Sequence, residues 1–367
     1  MTQVPIPVSV LTGFLGAGKT TLLNRLLKDP ALSDTAVIIN EFGDVAIDHL
    51  LVERSSDGII QLADGCLCCT VRGELVDTLA DLVDQLQTGR ISKLKRVIVE
   101  TTGLADPAPV LQSIMGHPAL VQAFRLDGVI TLVDAVNGGT TLDDHLEAVR
   151  QVAVADRIVL TKTDLVDEPE ALARLKARLE ALNPSAPVID VRTPEVGFAA
   201  LFECGLYNPE TKTADVRRWL GEEADHPRLH HGHQHDHHDH EHRHDSSVRT
   251  FSLVYDRPVP FSAIETFLDL LRLTHGDKLL RMKGIVEIAE DPSRPLVVHA
   301  VQRLLHPPAS LPSWPDGVRG TRLVFITLDM PEDYVRRLFA AVTNTPAIDT
   351  PDRDAVQSNP LAIAGLS

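Results

Sequence analysis

No run of apolar residues in this 367-residue chain approaches the ~18 needed to cross a bilayer as a helix, so no membrane span is expected. The opening residues, Met1-Thr2-Gln3-Val4-Pro5, carry no basic region and no cleavable secretory pattern. A cytoplasmic protein is expected. Positive charge is scarce as well: 35 Lys and Arg stand against 51 Asp and Glu, a formal net charge of −16. That balance argues against nucleic acid or an anionic membrane as partner, because both are met with basic faces. Simple solubility is the plainer reading of the acidity. Aromatic residues make up only 4% of the chain, so the interior must be built from Leu, Val, Ile and Ala, and the 44% hydrophobic content supplies them. Cysteine is limited to four residues, which in a cytosolic chain read as ligands or reactive thiols rather than disulfides. Three of them, Cys66, Cys68 and Cys69, fall within four positions. Cys204 stands alone and reads as a small apolar residue.

What is present organises into two domains, as the length suggests. Up to about residue 220, short β-rich runs at 6–11, 36–40, 96–100, 128–134, 157–161 and 188–191 alternate with helical patterns such as 20–28, 73–86 and 169–182. Strands that are apolar throughout are buried on both faces, and alternation with helices implies a mostly parallel sheet flanked by helices: an α/β fold. Residues 226–244 then hold ten histidines among Asp, Glu, Gly and Arg, without apolar periodicity, as in a flexible linker. Beyond it, strands at 249–255, 278–289, 296–304 and 321–328 and helices at 260–273 and 331–341 make a smaller α+β domain. The expected limits are 1–222, 223–247, 248–345 and a poorly ordered tail at 346–367.

The first motif follows the first strand. Gly13-Phe14-Leu15-Gly16-Ala17-Gly18-Lys19-Thr20 fits G-x-x-x-x-G-K-S/T between a buried strand and a helix, the context this phosphate-binding loop requires. Its glycines let backbone N–H groups turn toward phosphate oxygens, and the helix that begins near Lys19 adds its positive end. Lys19 should reach the β- and γ-phosphates, Thr20 should ligate Mg²⁺, and Thr21 should add a contact nearer the α-phosphate.

A second motif, Thr161-Lys162-Thr163-Asp164, follows another buried strand. The Asp164 carboxylate can accept from the N1 and exocyclic amine donors of guanine, a pair adenine lacks, which favours GTP. The Lys162 stem can lie over the purine face. The usual guanine-reading motif begins with Asn, and Thr161 in its place is expected to weaken the tie to the phosphate loop. Glu100-Thr101-Thr102-Gly103 ends a third buried strand, where ligands of parallel sheets bind. Glu100 could hold Mg²⁺ through water or orient the attacking water, and the Gly103 N–H could sense the γ-phosphate. The alternative is that Glu100 merely caps the segment beginning near Asp106-Pro107. The acidic loop 40–48 follows the second strand and offers Asp44 or Asp48 to Mg²⁺.

The thiols of Cys66, Cys68 and Cys69 open a helix, whose N-terminus favours thiolate. Three thiolates suit Zn²⁺, with Cu⁺ or Co²⁺ possible, and leave a fourth position for Glu41, water or a partner's ligand. A redox dithiol or buried inert cysteines are the alternatives. His230, His231, His233, His235, His237, His238, His240, His242 and His244, with interleaved carboxylates, suit a weak exchangeable metal buffer, or else a polar linker whose histidines do nothing.

Taken together, these motifs resemble the CobW-type P-loop GTPases, a metallochaperone group, over nearly the whole chain. The resemblance implies a G domain of the SIMIBI class, GTP and GDP as ligands, Mg²⁺ as cofactor, and metal ligation by Cys66, Cys68 and Cys69. It implies that Arg72, just past the cysteines, touches nucleotide. It further implies delivery of the metal to a client metalloprotein. The family is associated with zinc, or with cobalt for cobalamin synthesis or nitrile hydratase maturation. Asp44 and Ala46 stand where the family commonly has Glu and Gly, which leaves the switch geometry open. The C-terminal domain shows no catalytic constellation and is expected to dock the client or a second protomer of a homo-oligomer. The rival readings are a metal-independent regulatory GTPase, a storage protein and a small-molecule kinase.

Overall fold

The computed structural model describes residues 5–39, 59–63, 71–193, 197–202, 248–306, 308–314 and 319–343. Strand β1 (Ile6–Gly13) leads into α1 (Lys19–Leu26), then β2 (Thr35–Ile39), β3 (Ile59–Ala63), α2 (Val71–Gln87), β4 (Arg96–Glu100) and α3 (Ala108–Gly116). After β5 (Phe124–Asp134) come α4 (Gly138–Asp144), α5 (Leu146–Ala153), β6 (Arg157–Thr161), α6 (Pro169–Leu182), β7 (Val188–Asp190) and α7 (Phe198–Leu201). The order across the sheet is β3-β2-β4-β1-β5-β6-β7, and every pairing is parallel. β2 and β4 are buried at every position, which requires helices on both sides of the sheet. On one side α1 packs Leu22, Leu23 and Leu26 against Val37, Ile98 and Leu132. On the other, Leu79 and Leu82 of α2 and Leu111 and Ile114 of α3 meet Val8, Val97 and Val129. The strand absent from the sequence-based reading is β3. Its five residues, Ile-Ile-Gln-Leu-Ala, are bounded by motif loops and show neither clean alternation nor a long apolar run.

The second domain is antiparallel. It comprises β8 (Val248–Tyr255), α8 (Phe261–His275), β9 (Leu279–Val286), β10 (Leu296–Val301), β11 (Leu304–Leu305), β12 (Ala309–Ser310), β13 (Thr321–Leu328) and α9 (Glu332–Val342). The order is β11-β10-β9-β13-β8, with β12 paired to β10. Helices α8 and α9 cover one face, where Phe267 meets Phe325 and Phe339 edge-on. Among the described residues no helix is long and apolar enough to cross a membrane.

A buried ion cluster joins the domains. Arg281 and Lys283 lie two apart on β9 and turn to the same side. Both reach Asp156, at the entrance to β6, with Lys283 Nζ 2.7 Å from its Oδ1 and Arg281 paired to the same oxygen. The other oxygen accepts the Val129 N–H at 2.9 Å. Burial pushes the Asp156 carboxyl up, but Arg281, Lys283 and the Val129 N–H outweigh it and hold its pKa far below the usual carboxylate range. Because the folded pKa lies under the unfolded value of about 3.9, this stabilisation is full above about pH 4 and is lost progressively as pH falls from there down through the folded pKa. Removing one member strands buried charge. Asp156→Ala is therefore expected to destabilise the chain by about 3–5 kcal/mol in urea unfolding. Replacing all three members with apolar residues should cost far less. Equal losses from the two variants would contradict this account.

Candidate nucleotide site

The C-terminal ends of β1, β4, β5 and β6 meet at one edge of the parallel sheet, the edge where such folds bind ligands. At the exit of β1, Gly13 takes φ 145°, and a Cβ there would lie 2.5 Å from the Leu132 carbonyl oxygen. Only glycine lets the phosphate loop pass so close to β5. Gly16 and Gly18 carry the turn at φ 73° and 89°, and α1 begins at Lys19. The Lys19 ammonium donates to the Gly13 and Phe14 carbonyls at 2.9 and 3.3 Å, which holds the cation over the loop. Ala17 is buried, and Thr21 is exposed on α1.

Thr20 and Glu100 are 80 residues apart in sequence and in direct contact in the fold, with Thr20 Oγ1 donating to Glu100 Oε1 at 2.9 Å. Both are hard oxygen donors, and a hydroxyl beside a buried carboxylate fits Mg²⁺. Glu100 does not cap α3. Its N-cap position is Pro107, and Asp106 just before it accepts the Ala108 N–H at 2.9 Å. The loop after Glu100 is pinned to β1, since Thr101 N–H donates to the Leu11 carbonyl at 2.9 Å and its hydroxyl to Thr12 at 2.8 Å. Gly103 lies against the phosphate loop so closely that a Cβ would meet Leu15 N at 2.6 Å. A side chain at 103 would displace Leu15 and the loop around it.

Residues 161–164 are tied directly to the loop that follows β1. The Thr161 hydroxyl donates to the Ala17 carbonyl at 2.8 Å, a hydrogen bond of ordinary length from the end of β6 to the loop after β1. A threonine at the end of β6 is near enough for its short side chain to span the gap. Lys162 adopts a left-handed backbone (φ 56°), and its ammonium pairs with Asp134 Oδ2 at 2.7 Å. Asp134 was missed from sequence. Its signal was a carboxylate at the end of an apolar strand, one place along the sheet from the motif it serves. Burial pushes its carboxyl up, but Lys162, Asn137 and the N–H groups of Val136 and Asn137 hold it below the usual carboxylate value. Thr163 bonds Asp190 at the end of β7 at 2.9 Å, and Asp164 is left exposed beside them.

Glu41, Asp44, Cys66, Cys68, Cys69 and Cys204 lie outside the described residues, as do the histidines of 226–244 and the tail 346–367. Arg72 falls in α2, with its side chain outside the description. Among the described residues no cluster of His, Cys, Asp and Glu is placed to hold a metal. The strand register does constrain the cysteine segment's point of departure. Ala63 pairs with Ile39, Ile39 with Glu100, and Glu100 with Leu11, one row across β3, β2, β4 and β1. Ala63, the last described residue before the cysteines, and Ile39 therefore end at the same sheet edge as Glu100 and Leu11.

Residues 7–190 match the CobW/HypB/UreG nucleotide-binding domain, and residues 248–343 match the cobalamin synthesis protein CobW C-terminal domain. The chain is 37% identical over 338 residues to the zinc chaperone YjiA of Escherichia coli (strain K12), covering 92% of this chain and 99% of that one. It is 32% identical over 378 residues to the zinc chaperone CobW of a Sinorhizobium species, covering 93% and 98%. The crystal structure of Zn(II)-bound YjiA GTPase from E. coli superposes with a TM-score of 0.69 at 33% identity, covering 93% of this chain and 99% of that chain.

Proposed function

Because the chain belongs to the CobW/HypB/UreG family, we propose that it is a GTP-hydrolysing metallochaperone that carries zinc on Cys66, Cys68 and Cys69 and passes it to a client metalloprotein. Cobalt is the alternative cargo. The observation that carries the reading is the row Ala63–Ile39–Glu100–Leu11, from whose ends the cysteine segment and the phosphate loop both depart. On this reading the nucleotide domain spans 1–222, residues 223–247 buffer metal, and the second domain spans 248–345.

Lys19 holds the β- and γ-phosphates. Thr20 and Glu100 hold Mg²⁺, with Asp44 as a further ligand, and the ion supplies neutralisation of phosphate charge when bound. The 2.9 Å bond between Thr20 and Glu100 favours this role for Glu100 over activation of water. The Gly103 N–H reads the γ-phosphate, and Thr161, Lys162 and Asp164 hold guanine. Turnover is slow, as for other GTPases acting without a partner. GTP orders the loops around Glu41 and the cysteines, hydrolysis relaxes them, and the ion is released to its acceptor. A zinc affinity that differs between GDP and a non-hydrolysable GTP analogue is the direct test.

Base choice gives an independent test. Asp164→Asn replaces one of the two acceptor oxygens facing the guanine donors with an NH2 donor, and GTP affinity is expected to fall about 100-fold. The new amide can donate to the C2 carbonyl of xanthine, so XTP should gain affinity. An unchanged preference for GTP over XTP would remove Asp164 from the guanine pocket.

A further inference from the structure

The second domain reaches the loop that reads the γ-phosphate. Three side chains hold that loop. Gln151 of α5, itself buried, donates to the Gly103 and Ala105 carbonyls at 3.2 and 3.0 Å. Its neighbour Arg150 lies 3.5 Å from Asp106 Oδ2. The third comes from the other domain: Gln302 Nε2 donates to the same Asp106 oxygen at 3.2 Å.

Gln302 is built into place. It sits at the turn between β10 and β11 with φ 51°, a left-handed backbone that a residue with a side chain rarely adopts. Strain of this kind persists where surrounding structure fixes it, and it concentrates at functional positions. The surroundings here are specific. Val301, the preceding residue, is buried in the apolar cluster of the nucleotide domain with Leu111, Ile114 and Leu120. Arg303, the following residue, is anchored to Asp277 at 2.7 Å. The Asp156 cluster fixes the same domain at the opposite, N-terminal edge of the sheet. The turn is thus held on both sides, and its Gln302 amide meets the loop after β4.

We propose that the second domain sets the rate of GTP hydrolysis through Gln302, a positioning residue whose amide holds Asp106 and with it the loop that carries Gly103. The inference rests on the GTPase reading above.

The test uses the full chain, with GTP hydrolysis at saturating GTP and Mg²⁺, GDP affinity and thermal melts. Gln302→Gly removes the amide while suiting the left-handed backbone, so the fold should survive. Its kcat is expected to fall three- to tenfold, with KM, GDP affinity and melting temperature nearly unchanged. Gln302→Lys keeps a donor to the carboxylate and should stay within twofold of wild type. Gln302→Glu sets carboxylate against carboxylate and should fall at least as far as Q302G. This ordering by donor and charge separates positioning from a structural role, and the Lys and Glu pair decides the matter if the glycine variant melts early. Q302G and Q302E within twofold of an active wild type, or Q302K as slow as Q302E, would overturn the inference alone. A wild-type chain that hydrolyses no GTP would overturn the GTPase reading, and this inference with it.

Discussion

Lys19→Met is expected to lower GTP hydrolysis about 100- to 1000-fold, the scale of losing one charged contact to a developing oxyanion in a preorganised site. The ammonium is fixed by the Gly13 and Phe14 carbonyls, so its charge sits over the loop before any phosphate arrives. Methionine keeps most of the stem and removes the charge, which isolates electrostatics from packing. The fold should tolerate the change, because the apolar contacts of α1 run through Leu22, Leu23 and Leu26 on another face. Arginine should not restore activity, since its planar fork cannot replace a compact point charge between two carbonyls. Phosphate release under single turnover reads the effect directly. A K19M chain that retains more than a tenth of wild-type activity would show that the catalytic charge lies elsewhere.

Zinc should be lost together with the thiols, and the nucleotide should govern how tightly it is held. Serine at Cys66, Cys68 and Cys69 is expected to weaken zinc binding by about a thousandfold or more, because a neutral hydroxyl replaces a thiolate at three of the ion's ligand positions. Deleting 225–245 should leave the tight site intact and remove only weak, exchangeable ions. In the intact chain a non-hydrolysable GTP analogue is expected to tighten zinc about 5- to 150-fold relative to GDP, and zinc must tighten the analogue by the same factor. The physical basis is distance. Neighbouring strands lie about 4.8 Å apart, so three steps separate the exit of β3 from that of β1 by roughly 15 Å. Competition with a chelating dye in each nucleotide state measures both halves of the cycle. Equal zinc affinity in the two states would leave the chain a GTPase and a zinc binder with no coupling between them.

Much of this was legible without coordinates, for a physical reason. A phosphate loop works through backbone geometry and local order, so Gly13, Gly16, Gly18, Lys19 and Thr20 announce it by spacing alone. Buried parallel strands announce themselves by continuous apolar runs, and from that follows the sheet edge at which Glu100, Thr161 and Asp164 gather. The antiparallel domain was legible in the same way, because its strands and helices carry distinct periods. Sequence alone could not join residues distant in the chain. The Thr20–Glu100 pair, the Asp134 anchor under Lys162, the Thr161–Ala17 bond, and the reach of Gln302 across the domain boundary exist only because strand order brings them together. Periodicity reports which face a residue turns to the interior. It carries no information about which distant residue waits there, and that is decided by the packing of strands and domains.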